Sequence, residues 1–346
     1  MTKKDFWRSS TVAVIGGGSW GTVLANIASK NAQDVRVFVR DEEQARAINA
    51  TRTNPNYVSD LQLNEKVHAY HALDRVFEGG VNAVIWALPS SVCRSAAKDM
   101  AHYFKGDEVI LHATKGIEAK PETGALRRIS EILLEEIPCP RVGVISGPNL
   151  ANEIASNEPA ATVVASEFEE VIETGRALLT TDRFRVYGSH DVIGVEWAGT
   201  LKNILAIASG AIDALGFGWN ARAMLITRGL AEMVRFGTSQ GAQERTFLGL
   251  AGIGDLLATC SSNLSRNYRV GSRLAKGEKL ADILRDLATT AEGVRTTQTV
   301  WEYARANGIE MPITEGVHRL LSEEASVEEV LKSLMNRPAT TLNLDT

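Results

Sequence analysis

Lys202 and Asn203 stand side by side within the apolar run Glu196-Trp197-Ala198-Gly199-Thr200-Leu201-Lys202-Asn203-Ile204-Leu205-Ala206-Ile207-Ala208. Burial disfavours the charged form of a lysine, so one placed there needs a partner, a neutral state or a route to solvent. Snorkelling, with the stem covering apolar neighbours, is the ordinary outcome for a lysine. The adjacent amide of Asn203 and an available carboxylate, Asp255, favour chemistry instead. A lysine of lowered pKa can give a proton to a developing alkoxide and recover it near neutral pH. Hydride transfer to a carbonyl needs one such donor, and Lys202 is the candidate catalytic residue.

The stretch from Leu248 to Asn267 supplies that carboxylate and a candidate anion site. A glycine-rich turn, Gly249-Leu250-Ala251-Gly252-Ile253-Gly254, precedes Asp255, and an apolar run then leads to Ser265-Arg266-Asn267. Arginine presents its donors as a planar fork that matches phosphate oxygens. The same residues would also serve as a helix cap at Asp255 and a second helix start at Ser265.

A third cluster opens the chain. The β-branched run Thr11-Val12-Ala13-Val14-Ile15 is followed by Gly16-Gly17-Gly18-Ser19-Trp20-Gly21 and then by the helical pattern Thr22-Val23-Leu24-Ala25-Asn26-Ile27-Ala28. In the order strand, glycine turn, helix, Gly16 permits the tight turn, Gly18 lets a pyrophosphate approach the backbone, and Gly21 lets helix and strand pack closely. A second strand, Val35 to Val39, ends at Arg40. An arginine there accommodates a 2′-phosphate, which favours NADP, whereas the neighbouring Asp41 keeps NAD open.

These groups need a scaffold, and the remaining runs provide one. Asn82 to Leu88, Glu108 to Ala113 and Arg141 to Ile145 are nearly all apolar, as expected of parallel strands buried on both faces. Ligands in such sheets bind beyond the carboxyl ends of the strands, where Pro89-Ser90-Ser91, Thr114-Lys115-Gly116 and Ser146-Gly147-Pro148-Asn149 stand. Lys115 is thereby placed to meet a ligand, although a lysine in an exposed turn is a common fate. After about residue 190 the texture changes to long Ala/Leu/Gly-rich stretches with helical spacing. The expected architecture is an α/β Rossmann domain over residues 1–190 followed by an all-α substrate and catalytic domain over 191–346, with residues 196–208 as a buried central helix.

Composition sets outer limits. The 346 residues, 44% hydrophobic and 23% charged, suffice for two domains with their own cores. Three cysteines, Cys93, Cys139 and Cys260, without C-x-x-C spacing suggest neither a disulfide framework nor a zinc site, and they fit a reducing cytoplasm. With 37 basic against 42 acidic residues, a net charge of −5 offers no general attraction to nucleic acid or an anionic membrane. No apolar signal core, bilayer-length run or carboxyl-terminal address is expected.

Taken together, the motifs resemble the bacterial NAD(P)-dependent glycerol-3-phosphate dehydrogenase family over almost the whole chain. The resemblance runs through Gly16 to Thr22, Thr114 to Ile117, Ser146-Gly147-Pro148, Glu196 to Asn203, Leu250 to Leu256, Ser265-Arg266-Asn267 and Glu292-Gly293-Val294-Arg295. It implies reversible oxidation of sn-glycerol 3-phosphate to dihydroxyacetone phosphate, a second domain like the C-terminal domain of 6-phosphogluconate dehydrogenase, a homodimer, and a supply of glycerol 3-phosphate for phospholipids. By position it implies Lys202 as proton acceptor in the oxidation. Lys115, Gly147, Asn149, Asn203, Asp255, Ser265, Arg266 and Asn267 would surround the substrate. The cofactor, NADP or NAD, would meet Ser19, Trp20, Arg40, Lys115, Ala151, Arg266 and the segment from Thr290 to Glu292.

Two positions depart from the family pattern. Asn149 stands where Ser or Thr usually follows Gly-Pro, and Val58-Ser59-Asp60-Leu61-Gln62-Leu63 replaces the prolines that usually follow Asn54-Pro55-Asn56-Tyr57. Two other readings compete. A β-hydroxyacid dehydrogenase shares the two-domain plan but carries its asparagine a helical turn after the lysine, not beside it. A nicotinamide-dependent sensor without turnover would be expected to lack the lysine or the anion cluster.

Overall fold

The computed structural model describes residues 7–120, 123–287 and 291–338. The strands are β1 (Thr11–Ile15), β2 (Asp34–Phe38), β3 (Val67–Tyr70), β4 (Ala83–Trp86), β5 (Val109–His112), β6 (Ile117–Ala119), β7 (Leu126–Arg128), β8 (Val142–Ser146), β9 (Ala160–Ala165) and β10 (Phe184–Ser189). Eight of them form one sheet in the order β10-β9-β8-β5-β4-β1-β2-β3, while β6 and β7 make a separate antiparallel hairpin. All pairings in the large sheet are parallel except β8 with β9.

The apolar runs became the central strands, because a strand covered on both faces must be apolar at every position. Every residue of β4, β5 and β8 is buried. From β1 the chain works outward to β3 and returns to the other side of β1 as β4, so a crevice opens at the carboxyl ends of β1 and β4. Open α/β sheets bind ligands at such a reversal. Strands β3 and β10 lie at the sheet edges and alternate in burial, which hid them from a search for continuous apolar runs.

Beyond β10 the described residues hold helices and turns and no further strand. The helix Val192–Ala214 is buried along almost its whole length, Lys202 and Asn203 included. Its amino terminus is capped by Asp191, whose carboxylate accepts from the backbone N–H of Gly194 at 2.9 Å. The helix Arg266–Leu274 crosses it at very close range. A methyl group on Gly210 would stand 1.9 Å from the carbonyl oxygen of Tyr268, and one on Gly271 would stand 1.8 Å from that of Ile207. The two glycines thus allow backbone to meet backbone, and so fix the Arg266 end of one helix relative to Lys202 on the other.

Candidate active site

The glycine turn after β1 has the shape a pyrophosphate needs. Gly16 has φ +115°, and a side chain there would meet the carbonyl oxygen of Ala87 at 2.7 Å across the crevice. Added to Gly21, a Cβ would lie 1.9 Å from the Gly16 carbonyl oxygen, whereas Gly18 has nothing within 4 Å of that position. The open side is therefore the one facing the amino end of the helix Ser19–Ala28, where backbone N–H groups and the helix dipole favour an anion. Ser19 and Trp20 form the first turn of that helix and are half-buried. Asn54, fully buried, holds the turn by donating to the Gly17 carbonyl at 2.9 Å and to Thr22 Oγ1 at 2.8 Å.

Arg40 lies exposed just past β2. The carboxylate of Asp41 accepts from the backbone N–H of Glu43 at 2.8 Å and caps the helix Glu42–Thr51. Among the described residues Arg40 has no ion pair or side-chain hydrogen bond.

On the opposite side, three charged groups converge from both domains. Lys202 Nζ donates to Asp255 Oδ1 and, at 2.6 Å, to Thr259 Oγ1. Lys115, on the turn after β5, reaches the other carboxylate oxygen at 2.6 Å. Asp255 is 1% exposed and Lys202 5%, so neither charge is shared with bulk water. Burial pushes the Lys202 ammonium down to about 7; Asp255 opposes that shift and the nearby Lys115 adds to it. Asp255 reaches this position because the chain makes a π-helical turn over Leu250–Gly254, packed so closely that a side chain on Gly252 would strike the backbone of Phe247.

The polar cluster provides one of the helix caps that its sequence allows. Ser265 Oγ caps the helix Arg266–Leu274 by accepting from the N–H of Tyr268 at 3.3 Å. Asp255, by contrast, makes no cap and spends its carboxylate on the two lysines. Asn267 donates to Asn203 Oδ1 at 2.9 Å and accepts from the Gly293 N–H at 3.0 Å, which joins three helices at one point. Among the described residues, Arg266 makes no ion pair or side-chain hydrogen bond. Protein packed around it draws its pKa below the ordinary arginine range, although the residue keeps an exposed surface, while Glu292 and Tyr57 nearby act in the opposite sense.

The remaining candidates lie around this centre. Gly147 is buried, and Ala151 begins the short helix Ala151–Ala155. Asn149 turns its side chain toward β9, where it accepts from Thr162 Oγ1 at 2.8 Å and donates to the Ala161 carbonyl at 3.3 Å. Glu292 accepts from the backbone N–H of Ser90 at 2.9 Å, and so ties the helical domain to the turn after β4. Thr290 lies outside the described residues. Thr259 was missed by sequence reasoning, which named Ser90 only as part of the turn after β4. Thr259 sits four residues after Asp255 on one helical face, and that spacing was the available signal.

A glycine turn at the sheet's crevice, together with a buried lysine, its carboxylate and an arginine unpaired among the described residues on a helical domain, fits a two-domain nicotinamide-dependent dehydrogenase. A family model described as the N-terminus of NAD-dependent glycerol-3-phosphate dehydrogenase matches residues 11–172, and one described as its C-terminus matches residues 191–332. The chain is 43% identical over 334 residues to the glycerol-3-phosphate dehydrogenase [NAD(P)+] of Macrococcus caseolyticus, covering 95% of this chain and 98% of that protein. It is 45% identical over 324 residues to the enzyme of that name from Pseudomonas fluorescens, covering 94% and 93%. The crystal structure of glycerol-3-phosphate dehydrogenase from Coxiella burnetii superposes with a TM-score of 0.88 at 36% identity, covering 95% of this chain and 99% of that one. The chain belongs to the NAD-dependent glycerol-3-phosphate dehydrogenase family and is an NAD(P)-linked oxidoreductase.

Proposed function

We propose that the chain interconverts dihydroxyacetone phosphate and sn-glycerol 3-phosphate, with Lys202 exchanging the proton and Arg266 holding the phosphate. The bound nicotinamide supplies or accepts the hydride. An ammonium has three N–H donors, and Lys202 spends two, on Asp255 and Thr259. No acceptor takes the third among the described residues, and we assign it to the substrate oxygen. That count, at a buried lysine whose pKa is drawn to about 7, is the observation that carries the reading. In reduction Lys202 gives its proton to the developing alkoxide, and in oxidation its neutral amine takes the proton from the alcohol.

Asp255 steadies the charged form of Lys202, and Lys115 pairs with its other carboxylate oxygen. Arg266 meets the substrate phosphate from the helical domain, so the substrate bridges the two domains, whose border we place at residue 190. Gly147, Ser265 and the Asn203–Asn267 pair shape the substrate pocket. Asn149 is a weaker contact, since its amide is engaged with β9. Gly16, Gly18, Ser19, Trp20, Gly21, Arg40, Ala151 and Glu292 line the cofactor side, with Arg40 favouring NADP.

We further propose a homodimer, a cytoplasmic setting and a supply of glycerol 3-phosphate for phospholipids, a reading that the family membership supports. Trp219, 78% exposed, with Phe217 and Met224 nearby, offers apolar surface for a second copy. Among the described residues no helix is long and apolar enough to cross a membrane. Lys202→Met tests the central role: the folded variant should bind the cofactor as the parent does while turnover falls by about a hundred- to ten-thousandfold. Turnover within a fewfold of the parent would reject it.

A further inference from the structure

The carbonyl of Gly17, in the turn after β1, is the meeting point of two buried side-chain amides. Asn54 donates to it at 2.9 Å, and so does Gln44 from the helix Glu42–Thr51, also at 2.9 Å. Gln44 donates further to Asn54 Oδ1 at 3.2 Å, and Asn54 to Thr22 Oγ1 at 2.8 Å. The pair is thus tied to itself and to the helix that follows the turn. A carbonyl oxygen has two lone pairs, and here both are used to hold it toward the protein interior.

That grip fixes a second group. A peptide unit is planar and, here, trans, so the N–H of Gly18 points away from the carbonyl of Gly17. With the oxygen turned inward to Asn54 and Gln44, this N–H is aimed to the opposite side, and it makes no hydrogen bond among the described residues. The helix Ser19–Ala28 begins directly after it, so the N–H adds to the donors that favour an anion there. Were the peptide to turn over, an acceptor oxygen would face the anion in place of a donor. Glycine on both sides offers little steric resistance to such a turn, and the two side-chain amides oppose it.

We propose that Gln44 and Asn54 are positioning residues for the cofactor: they aim the Gly18 N–H at the pyrophosphate and keep the Gly17 oxygen turned from it. This rests on the placement of the pyrophosphate at the glycine turn, and the test separates the two. Protein carrying isotopically labelled glycine is titrated with NADPH, with the Kd taken from fluorescence and the Gly18 amide followed by NMR. In the parent, NADPH should draw the Gly18 amide proton downfield, as a hydrogen bond to a phosphate oxygen does. In Asn54→Ala and in Gln44→Met the Kd should rise about three- to tenfold, the value of one hydrogen bond, and the downfield shift should shrink. Gln44→Met nearly keeps the volume and carries the test if the alanine variant folds poorly. An unchanged Kd in the folded variants overturns the proposal. So does a raised Kd with the parent's full shift, which a general loosening of the domain would give. A parent that binds NADPH without moving the Gly18 resonance would instead defeat the placement of the pyrophosphate.

Discussion

Lys115 and Asp255 form an ion pair of 2.6 Å between the two domains, on the carboxylate oxygen that Lys202 leaves free. Asp255 therefore holds the proton donor with one oxygen and the sheet domain with the other. A buried charge that loses its partner is strongly destabilising, so Asp255 depends on both lysines.

The two partners should move the pH dependence in opposite directions. Reduction needs Lys202 protonated, so its kcat/KM should fall as pH rises through about 7, while that of oxidation should rise. Lys115→Met removes a like charge and should move the inflection to higher pH. Asp255→Asn removes the charge that favours the ammonium and should move it lower. Profiles of kcat/KM in both directions report this, and shifts of the same sign would contradict the assignment.

Arg266→Ala should lower kcat/KM for dihydroxyacetone phosphate by about 2–5 kcal/mol, because a desolvated dianion loses its charged partner. Unphosphorylated dihydroxyacetone should be poor for parent and variant alike. A variant retaining the parent's preference for the phosphorylated ketone would place the phosphate elsewhere, nearer Lys115.

Arg40→Asp should raise NADH use relative to NADPH, since it replaces the partner of a 2′-phosphate with an acceptor for ribose hydroxyls. With Asp41 committed to a helix cap, the native chain offers that acceptor poorly. An unchanged ratio of the two specificity constants would reduce Arg40 to a solvated charge.

Gly271→Ala places a methyl 1.8 Å from a backbone oxygen of the central helix, where no side-chain rotation can relieve it. The helices must part, at a cost of about 1–3 kcal/mol or more, visible as a lower denaturation midpoint. Unchanged stability would mean that the contact yields more easily than its geometry implies.

Strands β1, β2, β4, β5 and β8, the glycine turn and the buried central helix were legible because each is a local pattern, an apolar run or glycines at fixed intervals, whereas the interior strand β9 went unnamed. The pairing of Lys202 with Asp255 could be suspected from burial alone, since a buried lysine needs a carboxylate. The bond from Lys202 to Thr259 and the Asn203–Asn267 link depend on how helices far apart in the chain cross, so only the four-residue spacing of Asp255 and Thr259 hinted at the first. Edge strands β3 and β10 escaped notice because an edge position relaxes the demand for an unbroken apolar run.

Absorbance of the reduced nicotinamide, followed after mixing the purified chain with NADPH and dihydroxyacetone phosphate, tests the account most directly. The expected result is rapid consumption of NADPH that is nearly abolished in Lys202→Met and absent when dihydroxyacetone replaces its phosphate. No consumption with either NADPH or NADH, or equal rates with the unphosphorylated ketone, would contradict it.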